Sequence, residues 1–152
     1  MTGLDPAIAS ISGALLQARV ADLLALMDAA KTAHWNVRGA SFLPLHELFD
    51  EVADAARKEA DRLAELARSL GVFVDGRARG SLVPAMPLLT GDTCALYAGR
   101  MTEALGIMLA ALRDSASRAM EADDLVASDA LVRAAAKIQR LLYLVGSHVV
   151  AG

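Results

Sequence analysis

The chain has 152 residues, enough for one domain with a substantial core and too few for several. It is 55% hydrophobic but only 4% aromatic, most of the excess being alanine and leucine, which is the composition of closely packed helices. A formal net charge of −3 gives no general attraction to nucleic acid, and no uncharged apolar run reaches the roughly 18 residues of a membrane span.

Four long helices are expected. The first starts at Pro6, with Asp5 as N-cap and proline at the first helical position, and ends near Arg38, where Gly39 is the stop signal. The second starts after Ser41 and ends before Gly71; Pro44 is tolerated because the first turn has backbone donors without helical partners. The third runs from Asp92 or Thr93 to Met120, and the fourth from the Asp123–Asp124 step to about His148. Between the second and third lies a stretch of about 20 residues, Gly71–Gly91, which is long for a loop in a compact domain. It carries Pro84 and Pro87, and Ser81–Met86 is expected to form a short helix on the way. One long crossover between two helical hairpins is the ferritin-like topology. The expected fold is therefore an all-α four-helix bundle, one domain over residues 1–152, whose crossover carries a short helix.

The termini add little charge. Residues 1–18 and 141–152 contain no Lys or Arg, and a start with Asp5 and Pro6 whose first basic residue is Arg19 does not read as a signal peptide. The single Cys94 excludes an internal disulfide and fits a reducing cytosol, so a cytoplasmic location is expected.

The chemistry concentrates in one hairpin. His34, His46, Asp50, Asp61 and Glu65 supply two imidazoles and three carboxylates, a ligand set for iron, manganese or zinc in which carboxylates favour the harder ions. His46/Asp50 and Asp61/Glu65 are i,i+4 pairs, so each pair shares a helix face. On one continuous helix the four sit at roughly 0°, 40°, 60° and 100°, a single stripe, yet His46 and Asp61 are about 22 Å apart along the axis. One copy cannot bring both pairs to one metal on this helix. Two antiparallel copies can: the 46/50 pair of one meets the 61/65 pair of the other, crossing near Ala55 and Ala56, with Ala53 and Ala60 nearby to allow close approach. Such a two-fold interface would hold two equivalent metal sites.

A single i,i+4 pair of this kind is usually solvated helix surface. Glu51, Asp54, Arg57, Lys58, Glu59, Arg62 and Arg68 on the same helix read that way. No Glu is followed three residues later by His, which argues against a di-metal site inside one bundle.

The run HWNVRGASFLPLHELFDEV, His34 to Val52, resembles the signature of the Dps proteins, or mini-ferritins. DRLAE, Asp61 to Glu65, matches the family's next block, and DDLVASDALVRAAAKIQRLLYLVGSHV carries a weaker likeness through the last helix. The resemblance implies a hollow shell of twelve subunits with iron bound at two-fold interfaces, His34, His46 and Asp50 from one chain and Asp61 and Glu65 from its neighbour. It implies a ferroxidase that oxidises Fe2+, preferably with hydrogen peroxide, and stores ferric oxide in the cavity, suppressing Fenton chemistry; zinc or manganese could occupy the same site. Trp35, otherwise a core or interface aromatic, would stand beside the site as an electron donor. Lys31 and Asn36 are candidates for supporting the ligands, although Asn36 equally suits a helix terminus. Asp123, Asp124 and Asp129 are acids at a helix start, where acids are favoured in any case; the resemblance implies a three-fold iron-entry pore at Asp124 and Asp129.

Several departures bear on function. Many relatives bind DNA through a lysine-rich tail, and this chain has none; twelve copies at −3 each would carry about −36, which repels DNA. The glycine-flanked Arg77/Arg79 pair is the remaining basic feature. Arg133 stands where some relatives place a further pore acid, Gln139 where Asp is frequent and Tyr143 where Trp is frequent. The competing function is a DNA-compacting protein without turnover; a third is a zinc or manganese binder.

Overall fold

The computed structural model describes residues 3–77 and 80–149. Four α-helices make up the fold: α1 (Pro6–Asn36), α2 (Phe42–Ser69), α3 (Cys94–Glu121) and α4 (Leu125–Gly146). No strand occurs among the described residues. Each helix falls within a few residues of its sequence expectation. Asp5 caps α1, its Oδ1 accepting from the Ala7 N–H at 2.7 Å, and Asp124 caps α4, accepting from Ala127 N–H at 3.0 Å. Helix α2 gives way to Leu70 and to Gly71 at φ +89°, a backbone conformation that side chains with a Cβ disfavour.

Helices α1 and α2 form one hairpin, α3 and α4 the other, and the hairpins close chiefly through α1 on α3 and α2 on α4. Leu16, Leu23, Leu26, Phe49, Leu63, Met101, Leu105, Met108, Leu131 and Ile138 are fully buried between them. Helices α1 and α3 are each long and apolar enough to cross a membrane by length and mean hydropathy. Here much of that apolar surface faces the bundle core.

The crossover contains no helix at Ser81–Met86, contrary to expectation. Pro84 and Pro87 lack the N–H groups a helix would need and push Val83 and Met86 toward extended backbone. The segment is instead pinned point by point. Val72 packs against Gly13, where a Cβ would come within 2.2 Å of its Cγ2. Gln17 exchanges hydrogen bonds with the Asp75 backbone. Buried Asp22 accepts from Ser81 Oγ at 3.0 Å and Leu82 N–H at 2.7 Å. Tyr97 Oη donates to Pro87 O and accepts from Leu89 N–H, both at 2.9 Å. Asp22 is also paired with Arg19 (Nε–Oδ2 2.9 Å), which itself donates to Ala111 O and Ser115 Oγ, so the anchor joins α1, α3 and the crossover.

Two further expectations fail on α2. Ala53, Ala56 and Ala60 face the subunit's own core and Ala55 is partly buried, so no alanine surface stands at the proposed crossing point. At 100° per residue Ala56 and Ala60 share the face of Phe49 and Leu63, not that of the ligand stripe. Glu59 is not surface either: only 2% exposed, it is held by Arg62 and by Lys137 of α4, whose Nζ lies 2.7 Å from its Oε1.

Candidate metal centre

The short link between α1 and α2 fixes the histidines. Arg38 O accepts from the N–H groups of Thr93 and Cys94 (2.9 and 3.2 Å), while Thr93 Oγ1 accepts from Arg38 N–H and donates to Asn36 O. Gly39, at φ +132°, sits so close to α3's entry that a Cβ would lie 2.3 Å from Asp92 Oδ1. The Asn36 side chain donates to Thr32 O at 2.8 Å and so closes the helix rather than supporting a ligand.

Held this way, His34 and His46 stack, with ring centroids 3.8 Å apart and planes at 17°. Each binds the other's backbone: His34 Nδ1 to His46 O at 2.6 Å and His46 Nδ1 to His34 O at 2.8 Å. A carbonyl oxygen can only accept, so each Nδ1 carries the hydrogen. In the neutral ring Nε2 then keeps a free lone pair, the arrangement common in metal-binding histidines. Phe42 stacks on the far side of His46 at 4.9 Å, a support that no sequence pattern announced.

Asp50 is drawn elsewhere. Its Oδ1 pairs with Lys31 of α1, and that hydrogen bond holds its carboxyl below the ordinary 3.8 against the opposing effect of desolvation. Lys31, Trp35, Asp50, Asp54 and Arg57 line an open groove of about 820 Å³ between α1 and α2. Trp35 is 68% exposed on its wall, so it is no core residue of the subunit.

Asp61 and Glu65 are exposed and make no side-chain hydrogen bond or ion pair among the described residues. Asp61 lies eleven residues beyond Asp50, about 16 Å along the helix. Among the described residues no three His, Cys, Asp or Glu side chains of one chain converge as a metal cluster. The five sequence candidates are therefore divided: a histidine pair, an aspartate on a lysine, and two bare carboxylates.

The remaining candidates sit apart. Asp124 is buried, its Oδ1 spent on the α4 cap and its Oδ2 without a hydrogen-bond partner; Asp129 is exposed but paired with Arg133 (Nε–Oδ2 2.9 Å). Arg77 grips Asp75 through two nitrogens at 2.8 Å, which leaves its charge neutralised locally, and Arg79 lies outside the described residues.

A family model described as a ferritin-like domain matches residues 13–140. DNA protection during starvation protein 2 of Deinococcus radiodurans is 40% identical over 76 residues, covering 47% of this chain and 32% of that protein. The chain likewise spans only 42% and 31% of the length of two further curated relatives. DpsC from Streptomyces coelicolor is similar throughout, at 28% identity and a TM-score of 0.90, with 99% of this chain and 90% of that one covered. The structure of Dps from Microbacterium arborescens in the high iron form has 26% identity and a TM-score of 0.84, covering 95% and 96%.

Proposed function

Because the chain belongs to the ferritin-like family, and within it to the Dps proteins, we propose that it is a peroxide-dependent ferroxidase that stores the ferric product within a shell of twelve subunits. The substrate metal is Fe2+, bound where the His34/His46 pair and Asp50 of one copy meet Asp61 and Glu65 of the next. The observation that carries this reading is the reciprocal Nδ1 bonding of His34 and His46, which leaves both Nε2 lone pairs for a metal on rings already held in place. Imidazole suits iron as it suits zinc, and the three carboxylates shift the set toward the harder ion and stabilise the ferric product.

In this reaction each hydrogen peroxide accepts one electron from each of two ferrous ions. Its O–O bond breaks, water supplies the remaining oxygen of the ferric oxyhydroxide, and protons are released. Lys31 holds Asp50 through Oδ1 alone and so leaves Oδ2 for the metal. Trp35, exposed on the adjoining groove wall, stands where it can surrender an electron if the two-electron step is interrupted. Zinc and manganese suit the same donors, so the test uses metal-stripped protein.

The test is anaerobic Fe2+ loading followed by hydrogen peroxide, watched by ferric absorbance. Fast oxidation that collapses in His46→Ala/Asp61→Ala supports the reading. Equal, slow oxidation in both chains would overturn it and advance a binding protein without turnover.

A further inference from the structure

The exposed face of α2 has a charge polarity that extends beyond the metal ligands. In its first half that face is acidic: Glu47, Asp50, Glu51 and Asp54. In its second half it is basic, with Arg57, Lys58, Arg62 and Arg68, interrupted only by Asp61 and Glu65, the two carboxylates the proposed site takes from the neighbour. Two copies laid antiparallel would set the acidic half over the basic half, with Asp54 against Arg57 and with Asp50 and Asp61 meeting only at the metal, whereas parallel copies would set like against like. Residues facing each other across such a pair lie equally far from its midpoint. The pairs 46/65 and 50/61 share a midpoint between Ala55 and Ala56, and 54/57 shares it as well. Asp54 and Arg57 lie at roughly 80° and 20° on the same stripe, only about 2 Å from the midpoint along the axis. They are therefore the side chains closest to the two-fold axis whatever angle the helices adopt.

Within one chain Arg57 reaches Asp54 at 3.2 Å, but Asp54 is already served by Lys58 at 2.8 Å. Both members are about half exposed, and both line the groove that also holds Asp50 and Lys31. Arg57 has donors to spare for a second carboxylate.

We propose that Asp54 and Arg57 exchange partners between two copies, Asp54 of each with Arg57 of the other, and that this reciprocal pair of ion pairs at the two-fold axis sets the register in which His46 and Asp50 meet the neighbour's Glu65 and Asp61. It rests on the intersubunit reading of the metal site. Positions 54 and 57 touch no metal; they act by placing the ligands. A shift of one turn along α2 would move the facing carboxylates by about 5 Å, beyond coordination distance.

Charge reversal tests this. Asp54→Arg puts four guanidinium groups at the axis, and Arg57→Asp puts four carboxylates there. Each variant alone is expected to associate about tenfold more weakly across the two-fold, read by sedimentation velocity, with helicity unchanged by circular dichroism. Co-expressed with different tags, the two form mixed pairs that alternate in sign and recover wild-type association. Recovery in the mixed sample separates an exchanged pair from one confined to each chain, which mixing cannot repair. The chain carrying both Asp54→Arg and Arg57→Asp should also associate as wild type. Wild-type association by both single variants, or weak association that mixing fails to restore, would overturn the proposal. Failure of the metal reading is seen separately, as unchanged peroxide turnover in His46→Ala/Asp61→Ala, whatever the association of the charge variants.

Discussion

The two halves of the proposed site differ in how much one subunit builds alone. The His34/His46 end is finished: rings stacked, Nδ1 hydrogens spent on backbone, Phe42 behind and Lys31 holding Asp50. The Asp61/Glu65 end is bare helix surface. The difference follows from ligand chemistry. An imidazole binds through one lone pair in the ring plane, so its orientation must be set in advance. A carboxylate has two oxygens and several lone-pair directions, so it can wait on a flexible side chain until the neighbour arrives. Under this proposal a single subunit would hold no complete metal site before two copies meet, in keeping with the lack of a three-ligand cluster among the described residues.

This contrast can be broken or sharpened. The largest effect should come from deleting a ligand at either end: His46→Ala and Asp61→Ala should each slow peroxide-driven iron oxidation by more than the ten- to hundredfold typical of residues that merely orient a ligand. Folding stability should divide the ends where turnover does not. His46→Ala leaves His34 O without its donor and is expected to cost about 1–3 kcal/mol in chemical denaturation. Asp61→Ala and Glu65→Ala should stay within about 0.5 kcal/mol of wild type. Equal losses at both ends would break the comparison.

A smaller effect tests Lys31. Its hydrogen bond depresses the Asp50 pKa, so this pair's contribution to stability is present above pH 3.8 and is lost as pH falls through the lower folded value. Lys31→Met should move the Asp50 midpoint back up toward 3.8 in a carbon-13 carboxyl titration, with little change in stability at pH 7.

The helices were legible in the sequence because their punctuation is local. Asp5–Pro6, Gly71 and the Asp123–Asp124 step act within a few residues, and the structure places helix ends beside all three. The crossover differs from expectation because Pro84 within Ser81–Met86 and Pro87 just after it disfavour a helix there, and because the segment is held by Asp22, whose partners lie about sixty residues away in sequence. The alanines were misread for a geometric reason: Ala53, Ala56 and Ala60 cluster around the midpoint in number but point to the core in angle. The same arithmetic carried further would have found Asp54 and Arg57 on the ligand stripe. At the site, residue types and spacing were legible, but the reciprocal His34–His46 bonding was not. It depends on how closely the link at Gly39 approaches the start of α3, a contact between residues more than fifty positions apart.

The central claim is that each metal site takes ligands from two chains, and one measurement addresses it directly. His46→Ala and Asp61→Ala chains would be co-expressed and their peroxide-driven iron oxidation compared with each variant alone. In a mixed pair one of the two sites keeps all its ligands, so random pairing should restore about a quarter of wild-type turnover from two nearly inactive parents. A mixture no more active than its parents would contradict the account.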